Sequence, residues 1–217
     1  MLGWWVRQLL PQLEIKHQDP IPENTPYIIV ANHYSWLDIL VLYATVFNAR
    51  QAFVFVMKRS LIKLPMIGII CWGLGHPLLY RGGARRKNLA LLKTAAKKMQ
   101  TYHHGMMIFP EGTRYTKVDK KPQSYQNLLT PRTVGFEVVM KELGPTVPVL
   151  DVTLIYGDHE HSIWDFLRGK FGHVSVVSQL HHVDAQEAQA WLLDQWSKKD
   201  QLIQEVLSSE TKTDSQS

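Results

Sequence analysis

One α/β domain, with a mostly parallel central sheet flanked by helices, is the fold class this sequence predicts. Three observations point to it. Short apolar runs rich in β-branched and aromatic residues alternate along the chain with longer segments of helical period. The length, 217 residues, is ample for one domain and short for two. The 45% of residues that are hydrophobic can fill a single core, and no repeat or linker divides the chain.

The elements follow in order. Tyr27–Ala31 (Y-I-I-V-A) reads as a short buried strand and Trp36–Phe47 as an apolar helix, with Ser35 as its N-cap. Ala52–Met57 is a second strand by its aromatic and β-branched content. Ser60–Leu74 is helical or irregular, and His76–Tyr80 is a third short strand. Ala84–His103 is an amphipathic helix, with Leu89, Leu92, Ala96 and Met99 on one stripe. Met106–Phe109 is a strand ended by Pro110, and Val118–Asn127 a polar loop. Pro131–Leu143 is a helix opened by proline and closed by Gly144. Val147–Tyr156 and His173–His182 are the last strands. A final helix opens at Asp184, with Glu187 three residues on as a capping-box variant, and runs to about Leu207. This places the domain at residues 27–207. Residues 1–26, with Trp4 and Trp5, form an N-terminal segment suited to a membrane interface, and 208–217 a polar tail.

Composition narrows the function classes. Lys and Arg number 24 against 19 Asp and Glu, and the net +5 suits an anionic partner such as a phosphorylated metabolite or a phospholipid surface. The single cysteine, Cys71, excludes an internal disulfide and a Cys-based zinc site. No signal peptide is readable, since Arg7 interrupts the apolar start. No helix-length membrane span stands out either. Leu64–Tyr80 carries no acid, Lys or Arg, but prolines and glycines break it up.

Two stretches carry chemistry. In V-A-N-H-Y-S-W-L-D, Val30 to Asp38, a histidine precedes an aspartate by five residues. With ten histidines in the chain, roughly one such pair in every two chains of this composition arises by chance. On a regular helix the two would lie about 140° apart. They meet only if His33 sits in the turn before the helix and Asp38 in its first turn. The pair is then either a base with its orienting acid or a capping aspartate beside a loop histidine. The second stretch is F-P-E-G-T-R, Phe109 to Arg114, at the end of an apolar strand where α/β sheets form ligand sites. Gly112 admits close backbone approach, Thr113 offers a hydroxyl, and Arg114 a planar fork for phosphate. Glu111 would orient the arginine or accept from a substrate hydroxyl. An exposed salt bridge in a turn is the plain alternative.

Together these blocks resemble the lysophospholipid acyltransferases, the PlsC-like family, of which N-H-x4-D and F-P-E-G-T-R are the first and third motifs. H-P-L-L-Y-R, ending in Arg81, falls at the second motif, although Tyr80 stands where the family often has Asp. V-P-V-L-D-V-T-L-I-Y, with Pro148, falls at the fourth. The runs Y-Q-N-L-L-T-P-R-T-V-G-F and D-V-T-L-I-Y resemble the branch of lysocardiolipin and YihG-type acyltransferases.

The resemblance implies transfer of an acyl group from acyl-CoA or acyl carrier protein to a lysophospholipid hydroxyl, most naturally that of 1-acyl-sn-glycerol 3-phosphate. Lysophosphatidylglycerol, lysocardiolipin and glycerol 3-phosphate are other acceptors. It makes His33 and Asp38 catalytic. It puts Glu111, Gly112, Thr113, Arg114 and Arg81 at the substrate phosphate, and Pro148 at the acyl pocket. No metal and no resident cofactor are required, and nucleic acid is not a partner. A bacterial enzyme at the cytoplasmic face of the inner membrane is the implied setting. A thioesterase-like hydrolase and a non-enzymatic membrane-binding relative are the competing readings. A serine hydrolase is disfavoured because no G-x-S-x-G occurs. The doublets His103–His104 and His181–His182 are poor metal sites, since neighbouring side chains point apart. The run Arg81–Lys87 suits anionic headgroups or coenzyme A phosphates.

Overall fold

The computed structural model describes residues 13–22, 25–46, 52–59, 76–80, 82, 84–115, 124–157 and 173–214. The strands are β1 (Leu13–His17), β2 (Ile28–Ala31), β3 (Phe53–Phe55), β4 (Met57–Lys58), β5 (Leu78–Leu79), β6 (Gly105–Ile108), β7 (Thr146–Tyr156) and β8 (Val174–Asp184). The helices are α1 (Asp38–Thr45), α2 (Arg85–Tyr102), α3 (Thr133–Leu143) and α4 (Ala188–Asp214).

The main sheet runs β1-β8-β7-β2-β6-β3. Strands β7, β2, β6 and β3 are mutually parallel, while β8 pairs antiparallel with β7 and parallel with β1. This is the mostly parallel sheet that the alternating pattern predicts. Its central strand β2 is wholly buried, which explains why I-I-V-A is apolar at every position. Helix α2 packs on α3, which packs on α4, and both α3 and α4 touch β7. Phe136 of α3 and Trp191 of α4 stack at 5.7 Å to seal that layer. Leu92, Ala96 and Met99 face the core from α2 as expected.

Several boundaries differ from the expectation. The domain does not begin at Tyr27: Leu13–His17 is an edge strand, paired with Val174–Ser178. L-E-I-K-H is half polar, because an edge strand buries only part of its surface, and so it lacks a strong strand signal. Residues 13–22 therefore belong to the folded domain; Trp4 and Trp5 lie outside the described residues. The predicted strand Ala52–Met57 is split. Phe53–Phe55 joins the main sheet, while Met57–Lys58 pairs with Leu78–Leu79 in a separate two-stranded sheet.

Asp184 ends β8 and does not open the last helix. Its carboxylate accepts from the amide of Gln186 at 2.7 Å in a turn, and the helix starts at Ala188. That helix continues through Asp214, well into the predicted tail. Ser60–Leu74, Cys71 and Arg81 fall outside the described residues.

Candidate active site

The topology brings the two chemical stretches together. Strands β2 and β6 are parallel neighbours in register, Val30 against Ile108, so the chain leaving each emerges at the same sheet edge. His33 follows β2 by two residues and Phe109 follows β6 directly. Strand β7 flanks β2 on the other side, Ala31 against Val152, and delivers Tyr156 to the same edge. Asn32 extends this pairing with its side chain. Its amide donates to the carbonyl of Leu154, and its side-chain oxygen accepts from the amide of Leu154, both at 2.8 Å.

After Asn32 the chain turns sharply. The amide of Asp38 donates to the Ser35 carbonyl at 3.3 Å, and the helix begins only at Asp38, two residues later than its apolar pattern suggests. Ser35 is not its N-cap. The serine hydroxyl instead accepts from the amide of Leu37 inside the turn. The condition for His33 and Asp38 to meet is thereby fulfilled: histidine before the helix, aspartate in its first turn. His33 Nδ1 lies 2.8 Å from Asp38 Oδ2. The amides of Tyr34 and Ser35 donate to that same oxygen at 2.7 and 2.9 Å. The Tyr156 hydroxyl donates to Oδ1 at 2.6 Å.

Asp38 is thus fully buried with four donors converging on it. Tyr156 is held as a phenol, because burial and the adjoining Asp38 charge push its pKa well above the usual 10.0. The His33 ring is 19% exposed and stacks on Phe109 at 4.3 Å. A hydrogen-bonded Nδ1 leaves the other ring nitrogen available to a ligand.

Glu111 behaves unlike the reading that placed it on Arg114 or on a substrate. It is 2% exposed, and neither carboxylate oxygen completes a hydrogen bond. Burial pushes its pKa up to about 9 and the Asp38 charge adds to this. The approaching amides of His33 and Leu129 and the Lys199 charge act the other way. It is therefore neutral at pH 7 and buttresses the loop from within. Gly112 adopts a φ of +69°, a left-handed turn that favours glycine, and a Cβ there would stand 3.3 Å from the Arg132 guanidinium. Thr113 and Arg114 are exposed beyond it.

A cavity of about 890 Å³ opens beside the stacked His33 and Phe109 rings. Leu79, Leu89, Phe109 and Phe136 give it apolar walls, while Lys58, Arg85 and Arg132 supply charge. Tyr80 also lines it, with the Arg59 guanidinium 4.7 Å and the Lys87 ammonium 4.2 Å from its ring centroid. The basic run 81–87 thus contributes Arg85 and Lys87 to this rim.

Pro148 is not brought to this edge. It lies eight residues before Tyr156 on β7, about 26 Å away along an extended strand. There it lines a smaller cavity of about 250 Å³ with Pro26, Met99 and Leu143. No cluster that could hold a metal occurs among the described residues.

A model of the acyltransferase family matches residues 12–154, two thirds of the chain, with both motifs, β2, β6 and most of β7 inside the match and Tyr156 just past its end. The chain belongs to the acyltransferase family. Among curated proteins, this acyltransferase-family chain is 34% identical over 154 residues to the lysophospholipid acyltransferase LPEAT1 of Arabidopsis thaliana, covering 68% of the chain and 33% of that protein. It is 27% identical over 150 residues to a 1-acyl-sn-glycerol-3-phosphate acyltransferase of Haemophilus influenzae, covering 67% and 58%. The chain therefore spans less than two thirds of these relatives. The crystal structure of the 1-acyl-sn-glycerophosphate acyltransferase PlsC from Thermotoga maritima shares the fold. Its TM-score is 0.60 at 20% identity, over 97% of this chain and 78% of that one.

Two site residues escape the motifs of this family member. Arg132 comes from P-R-T-V-G-F, which reads simply as a helix start, and it reaches the site only because α3 begins behind Gly112. Tyr156 closes a buried strand, where a tyrosine reads as ordinary core.

Proposed function

We propose that this chain transfers a fatty acyl group from an acyl thioester to the free hydroxyl of a lysophospholipid, with His33 as general base. The hydrogen bond between the partly exposed His33 and the fully buried Asp38, beside an apolar cavity with a cationic rim, carries this reading. His33 takes the hydroxyl proton as the oxygen attacks the thioester carbonyl. Asp38 fixes the ring and stabilises the imidazolium, and the proton then passes to the departing thiolate as the C–S bond breaks. Proton transfer of this kind contributes about 10²–10⁴-fold. No covalent intermediate is needed.

Arg132 and Arg114 hold the acceptor phosphate, joined by Arg81, and thereby align the hydroxyl. The apolar cavity walls receive the acyl chain. The names of the Arabidopsis and Haemophilus relatives support a lysophospholipid acceptor, and the second of them supports 1-acyl-sn-glycerol 3-phosphate. Acyl-CoA or acyl carrier protein is the donor. The work is done at a membrane surface, on its cytoplasmic face, where both lipids reside. Among the described residues no helix is long and apolar enough to cross a membrane.

An assay of purified protein with labelled oleoyl-CoA and a panel of lysophospholipids in liposomes tests this reading. Transfer to 1-acyl-sn-glycerol 3-phosphate is expected, with His33→Ala about 10³-fold slower. Arg132→Gln is expected to raise the acceptor KM about tenfold with a smaller change in kcat. Release of free acid without an acceptor would establish a hydrolase instead. A wild-type rate in His33→Ala would remove the base.

A further inference from the structure

The C-terminal helix α4 lies beyond the span matched by the family model, yet one of its side chains is wired to the site. Trp196, Lys199 and Asp200 lie on one face of this helix, and each grips a different part of the molecule. The Trp196 indole donates to the Leu129 carbonyl at 3.0 Å. The Lys199 ammonium donates to the Val152 carbonyl at 2.5 Å and lies 2.8 Å from Asp151 Oδ1. Asp200 accepts from two successive amides, those of Gln126 at 2.9 Å and Asn127 at 2.7 Å.

The carbonyls of these same two residues are where two tyrosine hydroxyls end. Tyr115 donates to the Gln126 carbonyl at 3.0 Å and Tyr34 to the Asn127 carbonyl at 2.7 Å. Both tyrosines hold His33 through their own backbones. The Tyr115 amide donates to the His33 carbonyl at 2.7 Å. Tyr34 is the next residue in the chain, and its amide is one of the donors on Asp38 Oδ2. Their rings meet edge to face at 5.7 Å. Within the peptide unit joining Gln126 to Asn127, a carboxylate faces the N–H and a phenol the C=O. The anion on one side strengthens the acceptor on the other, because chained hydrogen bonds polarise one another.

A loop that only needed tethering could be tied at any carbonyl. Here one carboxylate holds the N–H groups of the two successive residues whose carbonyls receive the hydroxyls of Tyr115 and Tyr34, and the Gln126–Asn127 peptide unit is common to both sets of bonds. We propose that Asp200 is a positioning residue for the His33–Asp38 pair, acting through the backbone of Gln126 and Asn127 on Tyr115 and Tyr34. This rests on the reading of His33 as the base. Asp200 touches no substrate. It sets where the histidine backbone stands, and a misplacement of the order of 1 Å can cost about 10²-fold in rate.

The test compares Asp200→Ala, Asp200→Asn, the double variant Tyr34→Phe/Tyr115→Phe and the triple variant that adds Asp200→Ala to it. Trp196→Phe, which alters a neighbouring tether on the same helix, is the control. For each, kcat and KM for both substrates, the melting temperature and the ring ¹⁵N resonances of His33 are measured, assigned by their loss in His33→Ala. Asp200→Ala is expected to lower kcat about 10- to 50-fold with KM changed less than about twofold. Asp200→Asn, which keeps one acceptor, should fall between this and the wild type. The double variant should lose a similar factor, and the triple should be no slower than the worse of its parents, as for groups acting in one chain.

The His33 resonances should move in Asp200→Ala but not in Trp196→Phe, although the latter also lowers the melting temperature. Normal kcat in both Asp200 variants, losses that multiply in the triple variant, or an unmoved His33 signal each overturn the proposal. Should His33→Ala itself keep the wild-type rate, the catalytic reading fails. The ¹⁵N resonances would still decide whether Asp200 positions the ring.

Discussion

Asp38 and Glu111 are buried to nearly the same degree at the same edge of the sheet, and the fold surrounds them differently. Asp38 receives two backbone amides, a phenol and an imidazole. Glu111 completes no hydrogen bond and takes up a proton instead. The difference lies in where each sits along the chain. Asp38 follows a tight turn whose amides at Tyr34 and Ser35 have no helical partner, so they are free to converge on a carboxylate. Glu111 follows Pro110, which has no N–H, and the Gly112 amide is spent on the Phe109 carbonyl, so the turn around Glu111 turns no amide of its own onto the carboxylate. Burial alone therefore does not set how a carboxylate is held here; the supply of donors does. Asp38 is equipped to hold a charged imidazole, and Glu111 is equipped to fill space as a neutral side chain.

The largest effect should come from denying Asp38 its charge. Asp38→Asn keeps the shape but turns one oxygen into an NH₂ group, which must face a donor whichever way the amide flips. It also removes the anion that stabilises the imidazolium. Saturating-substrate kinetics should show kcat falling about 10²–10⁴-fold with the melting temperature also reduced. A wild-type kcat would dissolve the contrast between the two carboxylates.

Tyr156→Phe asks whether the fourth donor matters. It deletes only the 2.6 Å bond to Oδ1 and leaves His33 and both amides in place. A hydrogen bond to a charged group contributes about 1.5–3 kcal/mol, so denaturant unfolding should show a loss of that order. The rate should fall about tenfold, less than for Asp38→Asn, because the His33 contact survives. An unchanged rate with the expected loss of stability would make Tyr156 a core residue only.

How much of this was legible beforehand follows the same division. The strand Tyr27–Ala31 is readable because a buried parallel strand is apolar without interruption, and Val147–Tyr156 because it is rich in β-branched and aromatic residues despite Asp151 and Thr153. His33, Asp38 and F-P-E-G-T-R are readable because each lies in a short contiguous stretch whose residue types carry chemistry. Strand β1 was not, since an edge strand with Glu14 and Lys16 looks like polar coil. Tyr156, Arg132 and Asp200 were not, since their partners lie 118 residues away in one case and 73–74 in another. Pro148 was misplaced for a related reason. Its motif is right about the strand, but the end of the strand that carries the site is eight residues further on. Local patterns predict local structure, whereas a donor arriving from a distant strand leaves no mark beside the residue it serves.

Glu111→Gln should have the smallest effect on rate and bears most directly on the neutral member of the pair. If Glu111 is protonated at pH 7, glutamine is nearly its isostere, and activity there should stay within about threefold of wild type. The pH dependence of stability supplies the sharper reading. The folded-state pKa of about 9 lies above the ordinary 4.5, so between these values the folded chain binds more protons than the unfolded one. Stability then falls as pH rises across that window. The contribution is complete below about 4.5 and lost by the time the pH passes 9. Glutamine has no proton to lose, so the variant's melting temperature should gain on the wild type steadily from pH 5 to pH 9, by on the order of ten degrees. Parallel curves would mean that Glu111 ionises alike in both states. A collapse of activity at pH 7 with the fold intact would mean that its charge is used, and that the two carboxylates are partners rather than opposites.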